Sequence, residues 1–357
     1  MRVQREAELV EAVRAAAGPV QVRGGGTRPV GAGAGEVLEV GISGITLYEP
    51  AALTLVAGAG TPLAEVQAVL AAEGQRLAFE PADWGPVLGA AGSSTLGGVV
   101  AANVSGPRRV QAGACRDSLI GVRFVDGRGE LVKNGGRVMK NVTGYDLVKL
   151  MAGSWGTLGV LSEVSFKLLP VAPAQAVLVL PELTAGAAVP ALSAALASPY
   201  DVTGAGWLPG VGAMVRLEGL AQSVAYRAAQ LTGALAGFGR VEAGDPALFD
   251  DLARVAPFVG QAGDLWRFSV APSAAPGIIA RLGCPVVLDW GGGLIWALLP
   301  EGVDARGRAA PYRGHATRMR GGQGPAFEPE AAPVAALSAR LRAEFDPRGI
   351  LNPGRMG

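Results

Sequence analysis

Three glycine-rich segments are the residues of this sequence best suited to hold a ligand: 23–27, 89–98 and 153–159. Glycine adopts positive φ without strain, so a backbone rich in it can bring several N–H groups close to one ligand. N–H groups that converge on a concave surface bind anions such as a pyrophosphate. A single glycine-rich segment can equally be a simple turn, but three together favour a phosphate-bearing ligand.

Two common nucleotide motifs do not account for these segments. A P-loop requires Gly-x4-Gly-Lys-Ser/Thr, and the sequence contains no such run. Gly58-Ala-Gly60 follows a predicted strand and precedes a predicted helix, as in a Rossmann fingerprint. However, Leu63 occupies the place of the third glycine and Pro62 the start of the helix. The sequence therefore favours neither P-loop phosphoryl transfer nor a Rossmann fold.

His315 is the one histidine, and it lies among arginines that include Arg313 and Arg318. A histidine of ordinary pKa could remove a hydroxyl proton, and an arginine could bind a substrate carboxylate. Alternatively, His315 is a packed or surface residue beside a solvated basic loop. The sequence leaves both interpretations open.

Composition excludes several classes of protein. The 357 residues suffice for two domains, and with 50% hydrophobic and 17% charged residues the chain is not expected to be disordered. Two cysteines cannot hold an iron–sulfur cluster, which needs about four thiolates, and a lone histidine argues against a zinc site. A net charge of +1 predicts no nucleic-acid binding. The sequence shows neither a transmembrane segment nor a signal peptide, so we expect a cytoplasmic protein.

The glycine segments alternate with predicted helices and strands. Residues 6–17 have helical spacing and precede a short strand at 20–22, and a second strand at 53–56 precedes a helix with Thr61 as its N-cap. Strand, glycine turn and helix thus occur twice, which predicts an α/β or α+β fold.

The rest of the chain divides near Pro170. Before it, the pattern predicts a loop, a hairpin and a strand, at 84–107, 119–132 and 158–169. After it, the pattern predicts a helix over 221–236 and a last helix over 333–345. That last helix is expected to bury the apolar residues Val334, Leu337, Leu341 and Phe345.

These motifs resemble a known family. Residues 23–27 look like the first pyrophosphate loop of FAD-binding domains of the vanillyl-alcohol oxidase and p-cresol methylhydroxylase type. Residues 94–170 resemble the rest of that domain in glycolate oxidase and D-lactate dehydrogenase subunits, most specifically at 139–147 and 153–160. Ser105-Gly-Pro-Arg-Arg109 and the tail 345–356 narrow the resemblance to the smaller FAD-binding subunits of glycolate oxidases.

The resemblance implies an α+β fold in which two subdomains grip FAD and a cap domain follows. The expected division is 1–170 for the FAD-binding domain, 171–332 for an α+β cap on the substrate side, and 333–357 for a helix and tail that return to the flavin. The residues implied to hold FAD are Arg23, Gly24, Gly25, Gly26, Thr27, Arg28, Gly92, Ser93, Thr95, Gly97, Gly98, Asp117, Gly156, Gly159, Val160 and Asn352.

The sequence departs from the family in its histidines. Family members with covalent flavin commonly attach it through a histidine in the first loop or elsewhere, and His315 lies outside both phosphate loops. We therefore expect non-covalent FAD. The histidine pair that often handles the hydroxy acid is also missing, which leaves His315, Arg318 and Tyr145 as candidate catalytic residues. Tyr145 and Lys140 could lie near the flavin, or Tyr145 could simply hold a turn.

The resemblance implies a subunit of an FAD-dependent 2-hydroxy-acid oxidase or dehydrogenase acting on glycolate or D-lactate. The implied partners are a larger FAD-containing subunit and an iron–sulfur subunit, and any membrane contact would be made through them. One alternative is an FAD-bearing electron-relay or assembly subunit whose larger homologous partner oxidises the acid. Another is a flavin-free module that kept the fold.

Overall fold

The computed structural model describes residues 1–31, 33–136 and 145–356, and it begins with a small parallel sheet. This first sheet has the strand order β1-β3-β2. Its strands are β1 (Arg2–Val3), β2 (Val20–Arg23) and β3 (Glu36–Val40). The C-terminal tail runs beside β2, where the Val20 N–H donates to the carbonyl of Ile350 at 2.8 Å. The strand predicted at 20–22 is confirmed.

The second sheet is antiparallel, with strand order β4-β5-β9-β7-β8 and β6 paired to β9. The predicted hairpin is confirmed as β7 and β8, and the predicted strand 158–169 as β9. The strands are β4 (Ile45–Glu49), β5 (Thr54–Gly58), β6 (Gln75–Leu77), β7 (Leu119–Val125), β8 (Leu131–Gly135) and β9 (Val160–Pro170).

The third sheet is antiparallel, with strand order β13-β10-β12-β11-β15-β16-β14-β17. One face is covered by helices, and the other contributes Met214, Val287 and Trp296 to the hydrophobic core of the first two sheets. The third sheet therefore lies across the other two. The strands are β10 (Ala174–Leu180), β11 (Val202–Leu208), β12 (Gly212–Gly219), β13 (Glu242–Gly244), β14 (Asp264–Val270), β15 (Val286–Asp289), β16 (Leu294–Leu299) and β17 (Gly314–Arg320).

Short helices connect the strands, and together the elements make the expected α+β fold. The predicted helices at 6–17 and 221–236 are confirmed as α1 and α9. The helices are α1 (Glu6–Ala15), α2 (Leu63–Ala72), α3 (Gly85–Leu88), α4 (Leu96–Ala101), α5 (Arg109–Ala112), α6 (Cys115–Ser118), α7 (Leu147–Met151), α8 (Ala185–Ala197), α9 (Ala221–Leu235), α10 (Leu248–Arg254), α11 (Ala275–Leu282), α12 (Ala305–Ala309) and α13 (Ala332–Phe345). Among the described residues, none of these helices has the length and apolarity needed to cross a membrane.

The region 84–107 is not the continuous loop that its composition predicts, because it contains α3 and α4. Glycine has low helix propensity, which hides these helices in the sequence. The Thr95 hydroxyl caps α4 by accepting the Gly98 N–H at 3.4 Å. Thr61 is likewise not the cap of α2: Pro62 holds that position, and the Thr61 hydroxyl donates to the carbonyl of Gly58 at 2.7 Å.

The prediction that α13 buries its apolar stripe is wrong. Val334, Leu337 and Leu341 are 50%, 59% and 42% exposed, and only Phe345 approaches the core, with its ring 6.1 Å from that of Phe124. An amphipathic pattern shows which helix face is apolar, but it does not show what covers that face.

Candidate functional site

A cleft of about 810 Å³ lies between the first and second sheets. Of the residues implied to hold FAD, all except Asp117 line this cleft. They are Arg23, Gly24, Gly25, Gly26, Thr27, Arg28, Gly92, Ser93, Thr95, Gly97, Gly98, Gly156, Gly159, Val160 and Asn352. Three segments far apart in the sequence thus form one wall.

The first two glycine segments pack directly on each other. A Cβ added to Gly25 would lie 1.6 Å from the carbonyl oxygen of Ser93, and one added to Gly24 would lie 2.5 Å from the Thr95 hydroxyl. Gly92 has φ of +113°, and its added Cβ would lie 2.2 Å from the carbonyl oxygen of Gly25. Glycine is therefore required here because no side chain fits between the two loops.

Several backbone N–H groups in the cleft wall are free to bind a ligand. In the described ranges, the N–H groups of Gly25, Gly26, Gly92 and Ser93 donate to no protein acceptor. A backbone donor left without a partner costs free energy unless water or a ligand satisfies it. Four such donors on two adjoining loops form a suitable cradle for phosphate oxygens.

The cleft lining is strongly cationic. It includes Arg2, Arg23, Arg28 and Arg355, against the single carboxylate of Glu39. Burial lowers the pKa of Arg28 to about 10. Its Nε atom is buried without a hydrogen-bond partner, although another of its nitrogens donates to the Ser94 hydroxyl at 2.7 Å.

Arg355, like Arg28, is a partly buried arginine of the cleft lining whose Nε atom is buried without a hydrogen-bond partner. Burial together with the charge of Arg23 lowers the pKa of Arg355. Arginine forks bind phosphate oxygens with two hydrogen bonds. The residues present therefore fit the diphosphate of a dinucleotide such as FAD.

Asn352 joins the tail to two walls of the cleft. Its side-chain oxygen accepts the Val22 N–H at 2.8 Å, and its Nδ2 donates to the carbonyls of Trp155 and Gly156 at 2.9 and 3.3 Å. Its φ of +45° belongs to the left-handed region, which asparagine tolerates better than most residues. Asn352 thus sets the shape of the cleft floor.

The structure places the other predicted residues away from this cleft. Asp117 does not line it, and its carboxylate accepts the Ala114 N–H at the start of α6 at 2.8 Å. Tyr145 is 89% exposed. His315 and Arg318 lie on β17, where the Arg318 guanidinium donates to the carbonyls of Gln323 and Gly324. Lys140, with the rest of the motif from 139 to 144, lies outside the described residues.

Two arginines of the cleft lining, Arg355 and Arg2, were not predicted from the sequence. Arg355 follows Asn352-Pro-Gly in the tail motif, so its charge beside a predicted ligand residue was an available signal. Arg2 carries no such signal, because β1 has only two residues and reaches the cleft through its pairing with β3.

Comparisons with known proteins agree with this geometry. The family model described as an FAD binding domain matches residues 1–135. The chain is 37% identical to the glycolate oxidase subunit GlcE of Escherichia coli (strain K12), over 92% of this chain and 88% of that protein. This chain belongs to the GlcE family. The predicted resemblance to the smaller FAD-binding subunits of glycolate oxidases is thereby confirmed.

Other relatives match this member of the GlcE family less completely. The glycolate oxidase subunit GlcD of Bacillus subtilis (strain 168) is 43% identical over 77 residues, which are 22% of this chain and 16% of that protein. An alkyldihydroxyacetonephosphate synthase structure matches with a TM-score of 0.69 at 17% identity, over 99% of this chain and 76% of that one. The structural match shows the fold. Both GlcE and GlcD are described as subunits of a glycolate oxidase, which indicates a multi-subunit assembly.

Proposed function

We propose that this chain binds FAD in the cleft between the first and second sheets and serves as the FAD-binding subunit of a complex that oxidises glycolate or a related 2-hydroxy acid. The observation that carries the proposal is the cleft wall: among the described residues, two interlocked glycine loops present N–H groups without a protein acceptor, and the lining has four arginines and one carboxylate. Membership of the GlcE family supports the same cofactor.

The cleft residues divide by the part of the cofactor that they suit. The loops at Gly24–Thr27 and Gly92–Thr95 suit the pyrophosphate and ribityl groups, because they combine N–H donors with hydroxyls. Gly156, Gly159 and Val160 offer a close backbone approach to a flat ring. Asn352 acts as a positioning residue because its side-chain amide is fully used in holding the tail.

The FAD is held without a covalent bond. Among the described residues, the cleft lining contains no histidine, cysteine or tyrosine. These residues therefore offer no side chain that could attach the flavin covalently. Acid precipitation is therefore expected to release all of the flavin into the supernatant.

Bound FAD supplies a two-electron acceptor for the hydride that leaves the hydroxyl-bearing carbon of the acid. The chain's own residues bind and orient the cofactor through the cleft. A second candidate function is an FAD-bearing relay whose larger homologous partner oxidises the acid. The observation that favours it is the position of His315, the one histidine, on an edge strand of the third sheet rather than in the cleft lining.

The proposed assembly contains a larger FAD subunit and an iron–sulfur subunit in the cytoplasm, with any membrane contact made through these partners. Cys115 is buried, and Cys284 is partly buried. No group of metal-ligating side chains occurs in the described ranges. These features support a division in which another chain carries the cluster.

The proposed domain division is 1–170, 171–332 and 333–357. It is supported by the change from the second to the third sheet between β9, which ends at Pro170, and β10, which begins at Ala174. The return of the tail to β2 supports a third segment that completes the FAD-binding domain.

The test is the visible spectrum of the chain purified alone, followed by glycolate or D-lactate without oxygen. Bleaching of bound FAD supports oxidation by this chain. Bound FAD that stays oxidised supports the relay function. A colourless chain that takes up no added FAD contradicts both.

A further inference from the structure

Arg267, on β14, lies in a box of tryptophans between the third sheet and the rest of the molecule. Its guanidinium carbon is 6.0, 5.1 and 5.9 Å from the ring centroids of Trp84, Trp290 and Trp296. Its Nε is buried and has no hydrogen-bond partner. Stacking on indole faces leaves the N–H edge of a guanidinium free for a planar acceptor.

Arg109 completes a pair of cations. Its guanidinium carbon is 4.5 Å from the ring of the same Trp290. Trp290 is itself held in place, because its indole N–H donates to the carbonyl of Gly106 at 3.0 Å. The two guanidiniums come from different elements, Arg109 from α5 and Arg267 from β14, and both lie against the ring of Trp290.

Neither guanidinium has an acceptor among the residues that the structure describes. In the part of the chain that the structure describes, no carboxylate forms an ion pair with Arg267 or Arg109, and neither side chain donates a hydrogen bond. Residues 137–144, which lie outside that part, include no aspartate or glutamate. A partly buried cation without a counter-charge is costly unless a ligand supplies one.

Asp289 does not neutralise the pair. Its carboxyl is buried, accepts the Trp290 N–H at 2.7 Å and forms no ion pair among the described residues. Burial raises its pKa above the ordinary value of an aspartate, and the charge of Arg267 opposes part of that rise. Even an ionised Asp289 is one carboxylate against two guanidiniums. Asp117 near Arg109 forms an ion pair with Arg116, so the pair of arginines keeps a net positive charge.

The box has the exposed His315 on one side and a residue of the cofactor cleft lining on the other. His315 pairs with Ser269 on β14, two residues from Arg267 and on the same face of the sheet, and it is exposed. On the other side, Arg28 of the cleft lining contacts the same Trp84 as Arg267, with its guanidinium carbon 5.9 Å from the ring centroid. Arg267 therefore lies between an exposed residue of the same sheet face and the lining of the cleft.

We propose that Arg267 and Arg109 form a site for the carboxylate of a small organic acid, held by arginine N–H groups against Trp290. Identifying this ligand as the 2-hydroxy acid of the complex rests on the proposed function. This site would let the chain itself bind a carboxylic acid, although the chain has only one histidine. Arg267 and Arg109 are binding residues in this proposal, and no step of the oxidation is assigned to them.

The probe is oxalate, which has the size of glycolate but no C–H bond from which a hydride could leave. Its affinity is measured by calorimetry for the full chain with added FAD at fixed ionic strength. We expect Arg267→Gln and Arg109→Gln each to weaken oxalate binding by about ten-fold or more, since each loses a charge-assisted interaction. Arg267→Lys, which keeps the charge but not the fork, is expected to fall between wild type and Arg267→Gln.

The matched control is Arg318→Gln, which removes an arginine on the opposite face of the third sheet, where its guanidinium lies 5.8 Å from the Trp266 ring. It should leave oxalate affinity unchanged. Ethylene glycol, which has no carboxylate, should not bind detectably to any of these proteins.

The proposal is overturned if the wild type does not bind oxalate, or if folded Arg267→Gln and Arg109→Gln bind it as tightly as the wild type. Should Arg267→Gln fail to fold by circular dichroism, Arg109→Gln decides, because that side chain is only partly buried and lies on α5 rather than in the sheet. The visible spectrum of the same proteins, recorded after unbound FAD is removed by gel filtration, reports flavin binding separately. A wild type that retains no flavin but binds oxalate, with variants that do not, would refute the proposed function and support this site.

Discussion

At the scale of single residues, the contact between the two glycine loops is the most demanding feature of the cleft. We expect Gly25→Ala to abolish FAD binding, because its Cβ would lie 1.6 Å from the Ser93 carbonyl oxygen and would push the loops apart. The measurement is the flavin absorbance of the purified variant. Gly18→Ala is the matched control, since nothing lies within 4 Å of its added Cβ. Normal flavin content in Gly25→Ala would contradict this account.

Asn352 gives a second prediction at this scale. Asn352→Ala leaves the Val22 N–H and the Trp155 carbonyl without their partners, so we expect a loss of about 1–3 kcal/mol in the free energy of unfolding. It should also weaken FAD binding, because the tail is no longer held against the cleft. Denaturant unfolding and a flavin titration measure the two effects. Asn352→Asp keeps the acceptor for Val22 but places a carboxylate oxygen against the carbonyls of Trp155 and Gly156, so it should lose at least as much stability.

At the scale of elements, α13 and α9 have similar apolar patterns and opposite burial. Leu337 is 59% exposed, whereas Leu231 of α9 is fully buried. We expect Leu337→Ser to change the free energy of unfolding by no more than about 0.5 kcal/mol. Leu231→Ser should cost about 2–5 kcal/mol, the range for emptying a buried leucine site. A similar loss in both variants, measured by denaturant unfolding, would show that α13 is covered.

At the scale of the whole molecule, a buried ionic network joins the third sheet to the remainder. Arg216 of β12 forms a two-pronged ion pair with Glu80, with N–O distances of 2.7 and 2.8 Å, and Glu218 pairs with Arg108 and Arg76. Removing one partner of such a pair leaves the other charge buried without a counter-charge. We expect Arg216→Met to lower the free energy of unfolding by about 3–5 kcal/mol, measured by denaturant unfolding at pH 7.

The same network predicts a pH dependence. Burial by itself would raise the pKa of Glu80, but the hydrogen bonds and charge of Arg216, with help from Arg108, lower it below the ordinary value of 4.5. A carboxyl whose pKa is lower in the folded state adds stability above its unfolded pKa and loses that stability as the pH falls through its folded pKa. Wild type should therefore lose stability below about pH 4.5 more steeply than Glu80→Gln. Equal slopes in acid unfolding curves would contradict the role of Glu80.

The sequence by itself determined the local features: the glycine loops, the helices α1 and α9, the hairpin of β7 and β8, and the family. These follow from residue spacing and backbone preference over short stretches. Only the tertiary structure showed that Arg2 and Arg355 join the cleft, that Arg267 meets Arg109 at Trp290, and that α13 leaves its apolar stripe exposed. Each of those facts depends on which distant segments pack together. Contacts between such segments, rather than spacing along the chain, determine which side chains are buried and which charges are paired.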